Sequence, residues 1–182
     1  MMRFASDQAV TGSIADAELV VRARAGDAAS YEVLYRRHRD RVARTAYLLV
    51  RDPTLAQDIA QEAFLIGWRD LRRLRDPGVF GAWVAGIAVN LSRRSIRLAV
   101  RSSNEPIEDP AGDADRDLAV RAAVASLPRQ MREAVILRFY GGFTEAEMAA
   151  ALRVPAGTVK SRLARARTRL ADRLRDVIEE ER

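Results

Sequence analysis

Lys160, Arg162, Arg165, Arg167 and Arg169 all fall within GTVKSRLARARTRL, the stretch from Gly157 to Leu170. A guanidinium is a planar fork of donors that bonds a phosphate, or the edge of a guanine, in two places at once. A row of such groups therefore suits a polyanion. On a helical wheel advancing about 100° per residue, Val159, Leu163, Ala166, Leu170, Leu174 and Val177 share an arc of about 80°. Thr158, Ser161, Arg162, Arg165 and Arg169 lie on the far side. A solvated helix that is merely rich in arginine shows the same pattern, so this helix alone does not decide between the two.

Bond-making chemistry finds less support. The chain has no cysteine, which excludes a disulfide framework, a thiolate metal site and a thiol nucleophile. Its one histidine, His38 in YRRHRDR, has neither metal-ligand company nor a paired nucleophile and reads as a helix-surface residue. Glu179 and Glu181 belong to a charged C-terminal tail that reads as solvating. There is no glycine-rich phosphate loop. No catalytic residue, metal or cofactor is expected.

The elements that carry the cationic row follow from composition and periodicity. A length of 182 residues allows one domain or two small ones, and 48% hydrophobic residues is the composition of a folded chain. The formal charge of +6 and a pI near 10.6 again favour a polyanionic partner. The N-terminus lacks the apolar run of a signal peptide, and no segment reaches about 18 uninterrupted apolar residues, so a cytoplasmic protein without membrane insertion is expected.

Apolar residues recur at three- and four-residue steps, and no alternating strand stands out, which predicts an all-α fold. The compositional break is RSSNEPIEDPAGDADRD, residues 101–117, with six acids against two arginines and two prolines. It reads as a flexible acidic linker. Before it stand sixteen arginines against eleven acids, and after it, over residues 119–182, thirteen basic residues against eight acids. Two small basic helical domains, 14–100 and 118–178, are expected, with residues 1–13 a disordered N-terminus.

Helices are predicted at 17–25, capped by Asp16, and at 28–50, 54–75 and 80–100 in the first block. The second block predicts 118–126, 128–140, 144–152 and 156–178. Thr144 with Glu147 three residues on has the spacing of a capping box. Two helices joined by a turn of three or four residues, the second basic at its start, form a helix-turn-helix, whose second helix enters the major groove.

Two further helices carry unusual faces. In DIAQEAFLIGWRDL, the residues Asp58, Gln61, Glu62, Leu65 and Arg69 share one stripe, while Ala60, Ala63, Phe64, Trp68 and Leu71 share the opposite, core side. A polar stripe with leucine at its centre suits a protein interface, although ordinary surface has mixed faces too. In VFGAWVAGIAVNLSRRSIR, Val84, Ile87, Leu91 and Leu98 gather on one side. Gly86, Asn90, Arg93 and Arg97 adjoin it, with Trp83 at the border. Small and polar residues beside arginines allow a nucleic-acid backbone to come close, and asparagine can pair with base edges.

These stretches resemble a known family. LPRQMREAVILRFYGGFTEAEMAAALRVPAGTVKSRLARARTRL resembles region 4 of the extracytoplasmic-function, or group IV, sigma factors of bacterial RNA polymerase. The D-x-x-Q-E-x-F run of Asp58, Gln61, Glu62 and Phe64 resembles region 2.2 of the same group, and the segment from Val79 to Arg97 resembles regions 2.3 and 2.4. The resemblance implies a promoter-specificity subunit with core RNA polymerase and promoter DNA as partners. Asp58, Gln61, Glu62 and Leu65 would dock on the polymerase clamp. Trp83, Asn90, Arg93 and Arg97 would read the minus-ten element, beside a loop, RDPGVFG, that holds a flipped base. Thr158, Lys160, Ser161, Arg162 and Arg165 would read the minus-thirty-five element, with Arg169 on the backbone. A separate anti-sigma factor, a common partner in this family, is expected to regulate the chain. A freestanding helix-turn-helix regulator and a nucleic-acid enzyme are the competing readings.

Overall fold

The computed structural model describes residues 14–102 and 115–180, and all regular structure among them is helical. Helix α1 spans Asp16–Arg24, α2 Ala28–Val50, α3 Pro53–Arg69 and α4 Phe80–Ser102. Then come α5 Asp115–Ser126, α6 Arg129–Val135, α7 Glu145–Leu152 and α8 Ala156–Glu180. Most boundaries follow from capping chemistry. The Asp27 carboxylate accepts from the amides of Ala29 and Ser30 to start α2, and Asp52 accepts from Leu55 with Pro53 opening α3. At α7 the expected capping box forms, Thr144 and Glu147 each satisfying an amide of the other.

Helices α1 to α4 pack as one bundle and α5 to α8 as another. The alanines of the crossings, Ala46, Ala60, Ala63, Ala85 and Ala88, are buried and let helix axes approach closely. Phe64 and Phe80 fill the space between them, and the hydroxyl of Tyr31, which burial pushes up in pKa, donates to the Phe64 carbonyl. A smaller cluster of Leu127, Val135 and Ala166 holds α6 to α8.

Several expectations need correction. Helix α3 ends at Arg69, six residues early, and a 3-10 turn at Leu71–Arg73 follows, which turns Leu71 and Leu74 into the core. The predicted helix 128–140 becomes α6 plus a π-helical turn at Ile136–Tyr140. That turn keeps Ile136 and Leu137 buried while leaving Phe139 63% exposed. Asp16 does not cap α1; it lies within the first turn, and its carboxylate takes Arg37 at 2.9 Å and His38 at 2.6 Å. His38 is accordingly no surface residue. It is half-buried in the crook of α1, α2 and the start of α4, where a Cβ at Gly81 would strike its ring. Trp68, placed in the core from periodicity, is 41% exposed, with its ring edge-on to Tyr31, and Leu98 is 56% exposed near the end of α4. The expected disorder of residues 1–13 and most of the acidic linker lie outside the described residues.

The two bundles also share a hydrophobic core, which the wheel analysis did not anticipate. Helix α4 packs on α7, and α2 on the π turn, so that buried Val84 and Val89 belong to one cluster with Leu137, Phe143 and Met148.

Candidate nucleic-acid and polymerase interfaces

The cationic helix comes first. Val159, Leu163 and Ala166 are buried against α6 and α7, which fixes the rotation of α8 about its axis. That rotation leaves Lys160, Arg165 and Arg169 exposed and Thr158, Ser161 and Arg162 half-buried at the flanks. None of the five cations between Gly157 and Leu170 takes part in an ion pair among the described residues. Ser161 spends its hydroxyl on the Thr158 carbonyl at 3.0 Å. The turn before α8 is Arg153 to Pro155, with Arg153 in the left-handed region at φ 55° as it closes α7. The arrangement is a rigid two-helix corner that offers unneutralised charge on one side.

On α3 the structure brings Asp58, Gln61, Glu62, Leu65 and Arg69 together as one exposed face. The opposite face, with Ile59, Ala60, Ala63 and Phe64, is core. Leu65 is 64% exposed between two carboxylates that have no ion-pair partner among the described residues. An apolar side chain ringed by polar groups is the anatomy of a docking patch.

On α4 the predicted set divides. Trp83, Asn90 and Arg97 line one groove between α3 and α4, together with Ile87 and Arg94. Arg93 does not join them. Its guanidinium turns toward the other bundle and grips Glu133 of α6 in two places, Nε to Oε1 at 2.7 Å and Nη2 to Oε2 at 2.5 Å. Its third nitrogen reaches Asn90 at 3.0 Å. Gly86, which the wheel placed on the same approachable side, is buried under the backbone of Ala151.

Three groove arginines, Arg73, Arg94 and Arg153, escaped the sequence reading. Arg94 lies about 20° from Trp83 on the wheel, on the side away from Arg97, and was there to be found. Arg153 reaches the groove from the second bundle, and no spacing along the chain signals that. The loop before α4 is a short 3-10 turn at Pro77–Val79, held by the Asp76 carboxylate accepting from the Gly78 amide at 2.9 Å. No helix among the described residues is long and apolar enough to cross a membrane.

Comparison with known proteins matches these surfaces to named regions. A family model for sigma-70 region 2 matches residues 34–102, and one for sigma-70 region 4 matches residues 117–170. The ECF RNA polymerase sigma factor SigM of Mycobacterium tuberculosis is 37% identical over 162 residues, covering 86% of this chain and 83% of the relative. The ECF RNA polymerase sigma-E factor of Escherichia coli K12 is 28% identical over 186 residues, covering 91% and 97%. Among solved structures, CnrH in complex with the cytosolic domain of CnrY superposes with a TM-score of 0.70 at 25% identity, over 90% of this chain and 99% of that one. The sigma factor RpoE of Bartonella quintana, in complex with the anti-sigma factor NepR, shares the fold with a TM-score of 0.64 at 24% identity, over 80% and 96%.

Proposed function

The chain belongs to the sigma-70 family as an extracytoplasmic-function sigma factor, and from that premise we propose how its own residues divide the work of initiation. It is a transcription-initiation subunit and not an enzyme. The first domain, 14–100, carries both the polymerase contact and the minus-ten contact, and the second, 118–178, grips the minus-thirty-five duplex, with 101–117 as the tether. The protein works in the cytoplasm, where its polymerase and promoter are.

Asp58, Gln61, Glu62 and Leu65 dock on the clamp of core polymerase. Leu65 supplies apolar area at the centre and the carboxylates select a basic partner. Trp83, Asn90, Arg93 and Arg97 hold the separated minus-ten strand: arginines on phosphate, asparagine on a base edge, the indole as a stacking plane. Thr158, Lys160, Ser161, Arg162 and Arg165 enter the major groove at the minus-thirty-five element while Arg169 binds its backbone. An anti-sigma factor is the regulatory partner, as the complexes of CnrH with CnrY and of RpoE with NepR suggest by likeness.

The observation that carries this reading is the exposed, unpaired cationic side of α8 in a chain that also presents Leu65 among free carboxylates. Either alone suits many proteins; a DNA-reading helix and a protein-docking helix on one chain suit a sigma factor. In vitro transcription with sigma-free core polymerase over a genomic promoter library tests it. Defined start sites that require both core and this chain are expected. Failure to start transcription, with specific duplex binding by the chain alone, would return the freestanding regulator.

A further inference from the structure

Three aspartates at helix starts in the first bundle share a backbone task. Asp27, Asp52 and Asp76 each accept from a main-chain amide, at 3.0, 3.0 and 2.9 Å. Asp70 differs. It joins α3 to the following 3-10 turn through its main chain alone: its amide donates to the Ile66 carbonyl at 2.8 Å, and its own carbonyl accepts from the Arg73 amide at 2.8 Å. Its carboxylate caps neither element. It stands at the C-terminal end of a helix, where the partial charge is already negative, and so works against the α3 dipole.

The Asp70 side chain is 20% exposed and lines the groove between α3 and α4 with Trp83 and Asn90. Its ion pairs are loose. Nε of Arg69 lies 3.5 Å from one oxygen and Nη1 of Arg73 3.4 Å from the other, against about 2.7–2.9 Å for a well-made charge-assisted bond. Both arginine side chains are mostly exposed, so these pairs add little to the fold. An acid that the fold does not use, set in a groove with Arg73, Arg94 and Arg97, breaks a local rule, and functional sites are where such breaks fall. The carboxylate repels phosphate, so a strand laid in this groove turns its backbone to the arginines and a base to Asp70. An ionised carboxylate only accepts hydrogen bonds. Cytosine, adenine and guanine each offer it an exocyclic amino group, whereas thymine has none and brings carbonyl oxygens instead.

We propose that Asp70 is a specificity-determining residue of this groove: its carboxylate accepts a hydrogen bond from the exocyclic amino group of one base of the separated minus-ten strand, and so rejects thymine at that position. Trp83 beside it offers an aromatic plane for stacking. The two loosely held arginines turn to the adjoining phosphates when the base takes their place. The selection rests on the assignment of α4 to the minus-ten strand.

The test uses holoenzyme assembled from the full chain and core polymerase, with fluorescent non-template minus-ten oligonucleotides from a promoter the chain transcribes. Each position is varied through all four bases. The amine alone is also removed, with purine for adenine, 2-pyrimidinone for cytosine or hypoxanthine for guanine. At one position wild type should bind thymine, and the base stripped of its amine, about tenfold more weakly. Asp70→Ala should bind the strands with and without that amine equally, its preferences elsewhere unchanged. Asp70→Asn, whose amide donates as well as accepts, should admit thymine at the same position. Three results overturn the proposal: wild type indifferent to the amine at every position, an amine preference that survives Asp70→Ala, or an equal change for every oligonucleotide, the mark of a carboxylate that merely repels phosphate. The underlying assignment fails separately, if Asn90→Ala and Arg97→Ala leave binding of every oligonucleotide unchanged.

Discussion

Nε2 of His38 lies 2.6 Å from Oδ2 of Asp16, tying the first turn of α1 to the middle of α2. The same carboxylate takes Arg37 through its other oxygen at 2.9 Å, so one acid holds two consecutive residues of α2. Replacement of the histidine removes a partly buried, charge-assisted bond and leaves space under Gly81. His38→Ala should therefore lower unfolding free energy by about 2 kcal/mol in urea titration.

Leu65 separates binding from stability. At 64% exposure it contributes little to the fold, so Leu65→Ala should shift stability by less than about 0.5 kcal/mol. If it centres the polymerase contact, affinity for core enzyme in a fluorescence-anisotropy titration should fall about tenfold or more, the behaviour of an interface anchor. Unchanged affinity would remove it from that role.

The α8 cations make a prediction about salt. Lys160→Ala and Arg165→Ala, measured in holoenzyme on a duplex carrying the minus-thirty-five element, should each weaken binding. A residue on phosphate weakens all sequences alike and reduces the salt slope by about 1. A residue on a base edge instead relaxes preference at one position, by about 1–3 kcal/mol.

The capping box at Thr144 fixes where α7 begins, and thereby the corner on which α8 stands. Thr144→Ala should cost about 1 kcal/mol in denaturant unfolding. Thr144→Ser, which retains the hydroxyl, should recover most of it.

How much of this could be read from the chain depends on how local the cause is. Helix α2 runs from Ala28 to Val50, the bounds expected, because the Asp27 cap that the structure shows and the RDP that stops it both act within a turn. Likewise the side of α8 that carries Lys160 and Arg165 follows from Val159, Leu163 and Ala166 on the same helix. Trp68 escaped because periodicity tells which side of a helix an indole is on, and not whether a neighbour extends far enough to cover it. Gly86 and Arg93 escaped for a different reason. Their partners, Ala151 and Glu133, stand on the other bundle, and a wheel drawn on α4 alone shows two open positions where the fold places a backbone and a carboxylate.

The hydrophobic interior runs without a break from Val84 and Val89 on α4 to Leu137, Phe143 and Met148 beyond the linker. Heat should therefore disrupt both bundles of the free chain together, as a single calorimetric peak, since neither can lose its packing without exposing the other's.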